Sequence, residues 1–236
     1  MTQQPEQRIA IAIDGPAGAG KSTTARMLAA RLGYVYVDSG AMYRAVALHC
    51  REEGVALENE VAAAHAARAL EIRFVPAPEP GHEQKVFAGG MDVTRAIRLP
   101  EVAEGASRVS TIPAVREALV AKQRALGEQG GVVMEGRDIG TVVLPGAQVK
   151  VYLTASLDER ARRRTQDLIA RGDKNASFET VRAEIAERDR RDTTRTVSPL
   201  KIADGAVVLE SDDMSAEEVV DAILDLCAAA LTQERI

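Results

Sequence analysis

Apolar and polar positions along this chain repeat with two different periods. Ile9 to Ile13 is a short, dense apolar run, the length of a strand buried on both faces. Small residues occupy Gly15 to Gly20. Lys21 to Leu32 then carries helical periodicity and stops at Gly33, a residue suited to a left-handed C-cap. Tyr34 to Val37 predicts a second strand, and Ala41 to Glu53 a second helix closed by Gly54. Strand, loop, helix, strand, helix is the order of a parallel sheet with crossover helices.

The pattern changes over residues 55–100. Glu60 to Leu70 is an Ala-rich helix, and Glu71 to Val75 and Lys85 to Phe87 have strand character, joined by residues 76–84, which are all turn chemistry. Parallel α/β order then resumes. Helices are expected at Val115 to Leu126, Ser156 to Ala170, Phe178 to Asp192 and Ala216 to Leu231, and strands at Gly131 to Glu135, Val149 to Leu153 and Ala206 to Leu209. No repeat or low-complexity tail interrupts this order.

The length of 236 residues suits one α/β domain with insertions better than two independent domains. Aromatic residues are 3% of the chain and Trp is absent, so the core must be built from Ala, Val, Leu and Ile. A net charge of -5 provides no bulk attraction to nucleic acid or to an anionic membrane. No apolar run reaches the roughly 18 residues that span a bilayer, and the N-terminus lacks the apolar core of a signal peptide, so a cytoplasmic location is expected. Cys50 and Cys227 have neither metal-ligand spacing nor a disulfide framework. Arg outnumbers Lys, 24 to 6. Codon usage and phosphate gripping both account for that skew, since Arg offers a planar fork to phosphate and Lys does not.

The chemistry starts at Gly15-Pro16-Ala17-Gly18-Ala19-Gly20-Lys21-Ser22, followed by Thr23, which fits G-x-x-x-x-G-K-[ST] at every fixed position. It lies directly after an apolar run and directly before a helix, the context in which backbone N–H groups and a helix N-terminus wrap a phosphate. Lys21 is then expected to bridge the β- and γ-phosphates of ATP, and the Ser22 hydroxyl to hold Mg²⁺. The loop does not name the reaction, because GTPase switches, ATPases and small-molecule kinases share it. No Asn-Lys-x-Asp segment is present to read guanine. The nearest match to a strand ending in paired acids, Val207 to Asp212, also fits a strand end followed by a helix N-cap.

Four further segments place Arg beside short polar groups at positions where parallel sheets bind ligands. They are Asp38-Ser39-Gly40-Ala41-Met42-Tyr43-Arg44, Ser107 with Arg116, Glu135-Gly136-Arg137-Asp138-Ile139-Gly140, and Glu187 through Asp192 to Arg195. Asp38 fits a helix N-cap and a place in the Mg²⁺ shell equally well. Arg160, Arg162, Arg163 and Arg164 fit a solvated helix face, and Arg188, Arg190 and Arg191 alternate with acids as surface ion pairs do.

In their order, these segments resemble the bacterial cytidylate kinase (CMP kinase) family over nearly the whole chain. The resemblance implies a P-loop NTPase fold: an α/β core of roughly residues 1–54 and 101–236, an inserted lobe for the nucleoside monophosphate at roughly 55–100, and a lid at roughly 158–176. It implies transfer of the γ-phosphate of ATP to CMP, and to dCMP, with Mg²⁺, by a monomer without nucleic-acid or membrane partners. Position by position, Ser39, Ser107, Arg116 and Asp138 would contact the cytosine side. Arg44, Arg137 and Arg188 would grip the acceptor phosphate. Asp192 would bind ribose hydroxyls with Arg195 beside them, and Arg160 and Arg164 would be lid residues near the transferring phosphate. Glu135 stands where some relatives carry Asp.

The residues support this independently. A carboxylate such as Asp138 accepts from the exocyclic amine of cytosine and repels the carbonyl of uracil, while Arg116 can donate to the ring nitrogen and carbonyl. The acceptor is a phosphate oxygen already ionised near neutral pH, so no general base is needed. His49, His65 and His82 lie away from the motifs. Two other readings are a kinase for a different small acceptor, such as another nucleoside monophosphate or shikimate, and a nucleotide-dependent binding protein that uses ATP as a switch.

Overall fold

The computed structural model describes residues 8–76, 83–170 and 172–233. β1 (Ala10–Asp14) is buried at every position and sits in the middle of a sheet, as an uninterrupted apolar run requires. It leads through the glycine loop to α1 (Lys21–Leu32), whose C-cap Gly33 adopts φ 64° and ψ 33°. β2 (Val35–Asp38) follows, and α2 (Ser39–Glu52) begins at once. Sequence periodicity starts this helix at Ala41. It starts two residues earlier because the Asp38 side chain caps it, accepting from the Ala41 N–H at 2.9 Å. Ser39 to Arg44 are therefore the first turns of this helix, with Asp38 as its cap at the end of β2.

α3 (Glu60–Ala69) leads to an antiparallel three-stranded sheet of β3 (Ile72–Val75), β4 (Lys85–Ala88) and β5 (Met91–Asp92), in that order. β5 was not anticipated. Gly89 and Gly90, with φ 55° and 83°, form the tight two-residue turn that pairs Met91 with Ala88. His82 and most of the expected 76–84 connection lie outside the described residues. α4 (Pro100–Val109) was also missed, although Pro100 at its first turn is a start signal. α5 (Pro113–Gly127) precedes β6 (Val132–Gly136), and a single π-type turn over Ile139–Val143 follows it. The remaining elements are β7 (Val149–Thr154), α6 (Leu157–Ala170), α7 (Phe178–Thr194), β8 (Val207–Glu210) and α8 (Ala216–Gln233). Among the described residues no helix is long and apolar enough to cross a membrane.

The main sheet has the order β2-β6-β1-β7-β8, with every pairing parallel. α1 and α8 cover one face through Leu28, Val220 and Ile223, and the π-type turn and α5 cover the other through Ile139 and Val120. A separate core joins α2, α3, α4 and α5 to β3 and β4. The register aligns Asp14 with Gly136 and Asp38 with Glu135. Three strands thus deliver their polar ends to one edge, the carboxyl edge, where such sheets bind ligands.

Candidate active site

The glycine loop is shaped by close approach. Gly15 has φ +151°, and a Cβ there would lie 2.0 Å from the Leu153 carbonyl oxygen, so no other residue fits. Gly20 caps α1 in a left-handed conformation, and the helix has no side-chain cap, leaving its first amides for an anion. Lys21 is 5% exposed and donates to the Pro16 carbonyl at 2.6 Å. Burial pushes its pKa down to about 7, Arg137 pushes the same way, and Glu135 opposes them.

That depression has a measurable consequence. Near pH 8 the free amine is mostly neutral, and a triphosphate beside it restores the charge. ATP binding should therefore take up close to one proton at pH 8 and little at pH 6, where the amine is already charged. Calorimetry in buffers of different ionisation enthalpy reads this directly. No uptake at pH 8 would mean that Lys21 is already a cation in the free protein.

Ser22 lies beside a buried acid. The Glu135 carboxylate takes a hydrogen bond from Tyr36 at 2.9 Å, and the neighbouring Ser22 hydroxyl favours its charged form. Burial, and then neighbouring Asp38, raise the Glu135 pKa, against the pull of Lys21. Asp38 itself is engaged as the α2 cap and in an ion pair with Arg44 at 2.6 Å. Ser39 donates to the Glu135 carbonyl at 2.7 Å, so its hydroxyl braces the end of β6.

Across the cleft, arginines from α2, the end of β6 and α7 converge. Arg137 pairs with Asp192 at 2.7 Å. Burial pushes the Asp192 carboxyl up, but Arg137, with Arg188 and Arg195 behind it, outweighs burial and holds the pKa below the usual carboxylate range. Arg188 makes no hydrogen bond or ion pair among the described residues. Arg137 first and desolvation second push it down to about 10. A guanidinium held among like charges without a carboxylate of its own is the arrangement that a bound anion relieves. Among the described residues the buried Nε of Arg44 has no hydrogen-bond partner.

Deeper in the cleft, Arg116 is 2% exposed, bonds the Oδ2 atom of Asp138, donates to the Ser110 carbonyl at 3.2 Å and lies 5.5 Å from the centre of the Tyr43 ring. The Oδ1 atom of Asp138 faces Arg195 at 3.5 Å and accepts no hydrogen bond among the described residues. Arg195 is held by its Nε on the Ser198 carbonyl at 2.6 Å. Ser107 accepts from Arg191 at 3.1 Å, joining α4 to α7.

The two arginines expected in a lid differ in setting. Arg160 is buried, donates to the Ala17 carbonyl at 3.0 Å and pairs with Asp189, whose other oxygen accepts from the Ala17 N–H at 3.2 Å. Arg164 is exposed and pairs with Asp167 at 3.0 Å, away from the glycine loop. Asp212 accepts from the Ser156 N–H ahead of α6, so the acidic end of β8 caps a helix.

Asp14 and Tyr36 were not singled out from the sequence, and Tyr43, Asp189 and Arg191 lie inside segments that were, without a role assigned to them. Asp14 had one available signal: an acid that ends a buried strand immediately before the loop.

A glycine loop opening α1, a lysine folded over it, and facing arginines without enough carboxylates to pair them define a P-loop kinase, which holds two phosphorylated ligands end to end. A family model described as cytidylate kinase matches residues 11–229. A cytidylate kinase of Exiguobacterium sibiricum is 51% identical over 95% of this chain and 99% of that protein, and one of Solibacter usitatus is 48% identical over 100% and 99%. An uncharacterized protein of Eubacterium ventriosum shares the fold alone, with a TM-score of 0.51 and 11% identity over 94% of this chain and 99% of that one. The chain belongs to the cytidylate kinase family, and its reaction is ATP-dependent phosphorylation of CMP.

Proposed function

We propose that the cleft holds CMP, or dCMP, with its base against Arg116 and Asp138 and its phosphate among Arg44, Arg137 and Arg188, in line with ATP on residues 15–23. The observation that carries this reading is the buried Arg116–Asp138 pair next to Arg137, which sets donors and an open carboxylate oxygen beside a phosphate-gripping arginine. The amine and ring edge of cytosine match those groups. Ser107 and Ser39 flank the base side, and Asp192 and Arg195 face the sugar.

A non-bridging oxygen of the CMP phosphate attacks the γ-phosphorus, the new P–O bond forms as the bond to the bridging oxygen breaks, and ADP leaves with that electron pair. No proton has to be removed, so the work is positioning and charge neutralisation. Lys21, Arg137 and Arg188 neutralise the transferring group. Arg160 holds the loop at Ala17, and Arg164 approaches as residues 55–100 and 158–176 close over both nucleotides and exclude water.

The oxygens present suit a hard cation. The Ser22 hydroxyl, with Glu135 behind it, would hold Mg²⁺, which neutralises charge on the β- and γ-phosphates. Among the described residues no group of three or more His, Cys, Asp or Glu side chains is placed to hold a metal, and most of its ligands would have to come from the triphosphate and water. We place the enzyme in the cytoplasm as a monomer.

Initial rates with CMP, dCMP, UMP, AMP and GMP and Mg-ATP test the reading. CMP and dCMP should be the preferred acceptors, with UMP well behind. Comparable rates with CMP and UMP would overturn the role given to Asp138.

A further inference from the structure

Asp138 occupies the N-cap position of the π-type turn Ile139–Val143, yet its side chain makes no capping bond. An aspartate at that position ordinarily turns back onto the amides of its own first turn. Here those amides are satisfied from another strand. Asp14, at the end of β1, accepts from the Ile139 N–H at 2.8 Å with one oxygen and from the Gly140 N–H at 2.7 Å with the other. The arrangement is tight: a Cβ on Gly140 would lie 3.4 Å from the Asp14 carboxylate and 3.1 Å from Ala203.

We propose that Asp14 is a specificity-positioning residue: by capping the turn after β6 from the neighbouring strand, it leaves the Asp138 carboxylate free to face the base pocket. The inference rests on the role given above to Asp138. Two amides need two acceptors, and Asp138, the N-cap residue directly before them, carries a carboxylate beside Asp14. If Asp14 fails to accept, Asp138 is drawn toward its own turn and away from Arg116. Asp14 is 3% exposed, and burial raises its pKa to about 6 even though both amides and Lys21 favour the charged form. A carboxylate kept in such a place is working against its own desolvation.

Asp14→Asn tests this, because it preserves shape but presents an N–H₂ group to one of the two amides. The CMP kcat/KM should fall about tenfold, mainly through KM, while UMP changes by less than about twofold, so that the CMP/UMP preference shrinks. In an Asp138→Ala background the same substitution should leave the remaining preference within about twofold, since no carboxylate is left to position. Asp14→Ser, which can still accept from one amide, replaces asparagine if that variant does not fold, with the same expectation. If Asp138→Ala leaves the preference intact, the reading of Asp138 as the base-selecting group is wrong. If Asp138→Ala shrinks the preference and the Asp14 variants lower CMP and UMP by the same factor, the cap is merely structural and the inference is overturned.

Discussion

Replacing Lys21 with alanine is expected to lower kcat by about 10³-fold or more while the protein stays folded. That factor corresponds to about 4 kcal/mol of lost transition-state stabilisation, within the range for a cation removed from a transferring phosphoryl group. Survival of the fold follows from the site. Burial pushes the Lys21 pKa well below that of a free lysine, so the folded state penalises the charged form. The sign follows: removing this charge relieves a penalty that builds as pH falls from the ordinary lysine value of 10.5 toward about 7 and is constant below that, offset by lost packing of the stem. The buried Pro16 carbonyl loses its Nζ donor, a cost of about 1–3 kcal/mol that the fold can bear. Lys21→Met restores the lost volume without the charge and should be equally inactive. Single-turnover rates together with circular dichroism decide the matter, and near wild-type turnover in a folded variant would remove Lys21 from the reaction.

Asp138→Ala should reduce kcat/KM with CMP by about ten- to a hundred-fold, the range for losing a hydrogen bond to a charged group, and should affect UMP much less. The Oδ1 atom of Asp138 accepts no hydrogen bond among the described residues and is the oxygen proposed for the cytosine amine, while Oδ2 is committed to Arg116. The carbonyl of uracil gains nothing from a carboxylate, so the preference should narrow. Residual activity should persist, because Arg137 is held by Asp192 and not by Asp138. A second effect comes from Arg116, which is 2% exposed. Stripping the acid from a buried cation typically costs about 3–5 kcal/mol, so the variant should melt several degrees lower. Asp138→Asn, which keeps a carbonyl beside Arg116, should recover part of that stability. Steady-state kinetics with both acceptors, run below the transition of each variant, separate base selection from stability. Equal losses with CMP and UMP would mean that Asp138 only orders its neighbours.

Much of the frame was readable from local pattern. β1, the glycine loop and α1 follow from an apolar run, small residues and helical periodicity within a single stretch of chain, and Gly15 is required by the approach of the Leu153 carbonyl. The elements that escaped are the short or irregular ones. β5 has two residues and exists because β4 is there to pair with it. The π-type turn depends on a carboxylate 125 residues away in sequence. Asp38 could have been a cap or a metal-shell residue, and it is the α2 cap because the helix begins at Ser39.

The arginines divide along the same line. Arg160, Arg164, Arg188 and Arg191 all lie on charged helices, and nothing in their spacing tells a surface ion pair from a ligand contact. In the folded chain Arg164 stays on the surface with Asp167, Arg191 reaches Ser107, Arg160 is buried against the Ala17 carbonyl, and Arg188 makes no ion pair among the described residues. Periodicity, capping and turn chemistry act over a few neighbouring residues, so the phosphate loop and the helix it opens are written locally. Which acid neutralises which base depends on the β1–β6 register and on how α5 and α7 pack against it. Burial then sets the strength of each pairing, because a charge removed from water must find its partner in space, whatever the separation along the chain.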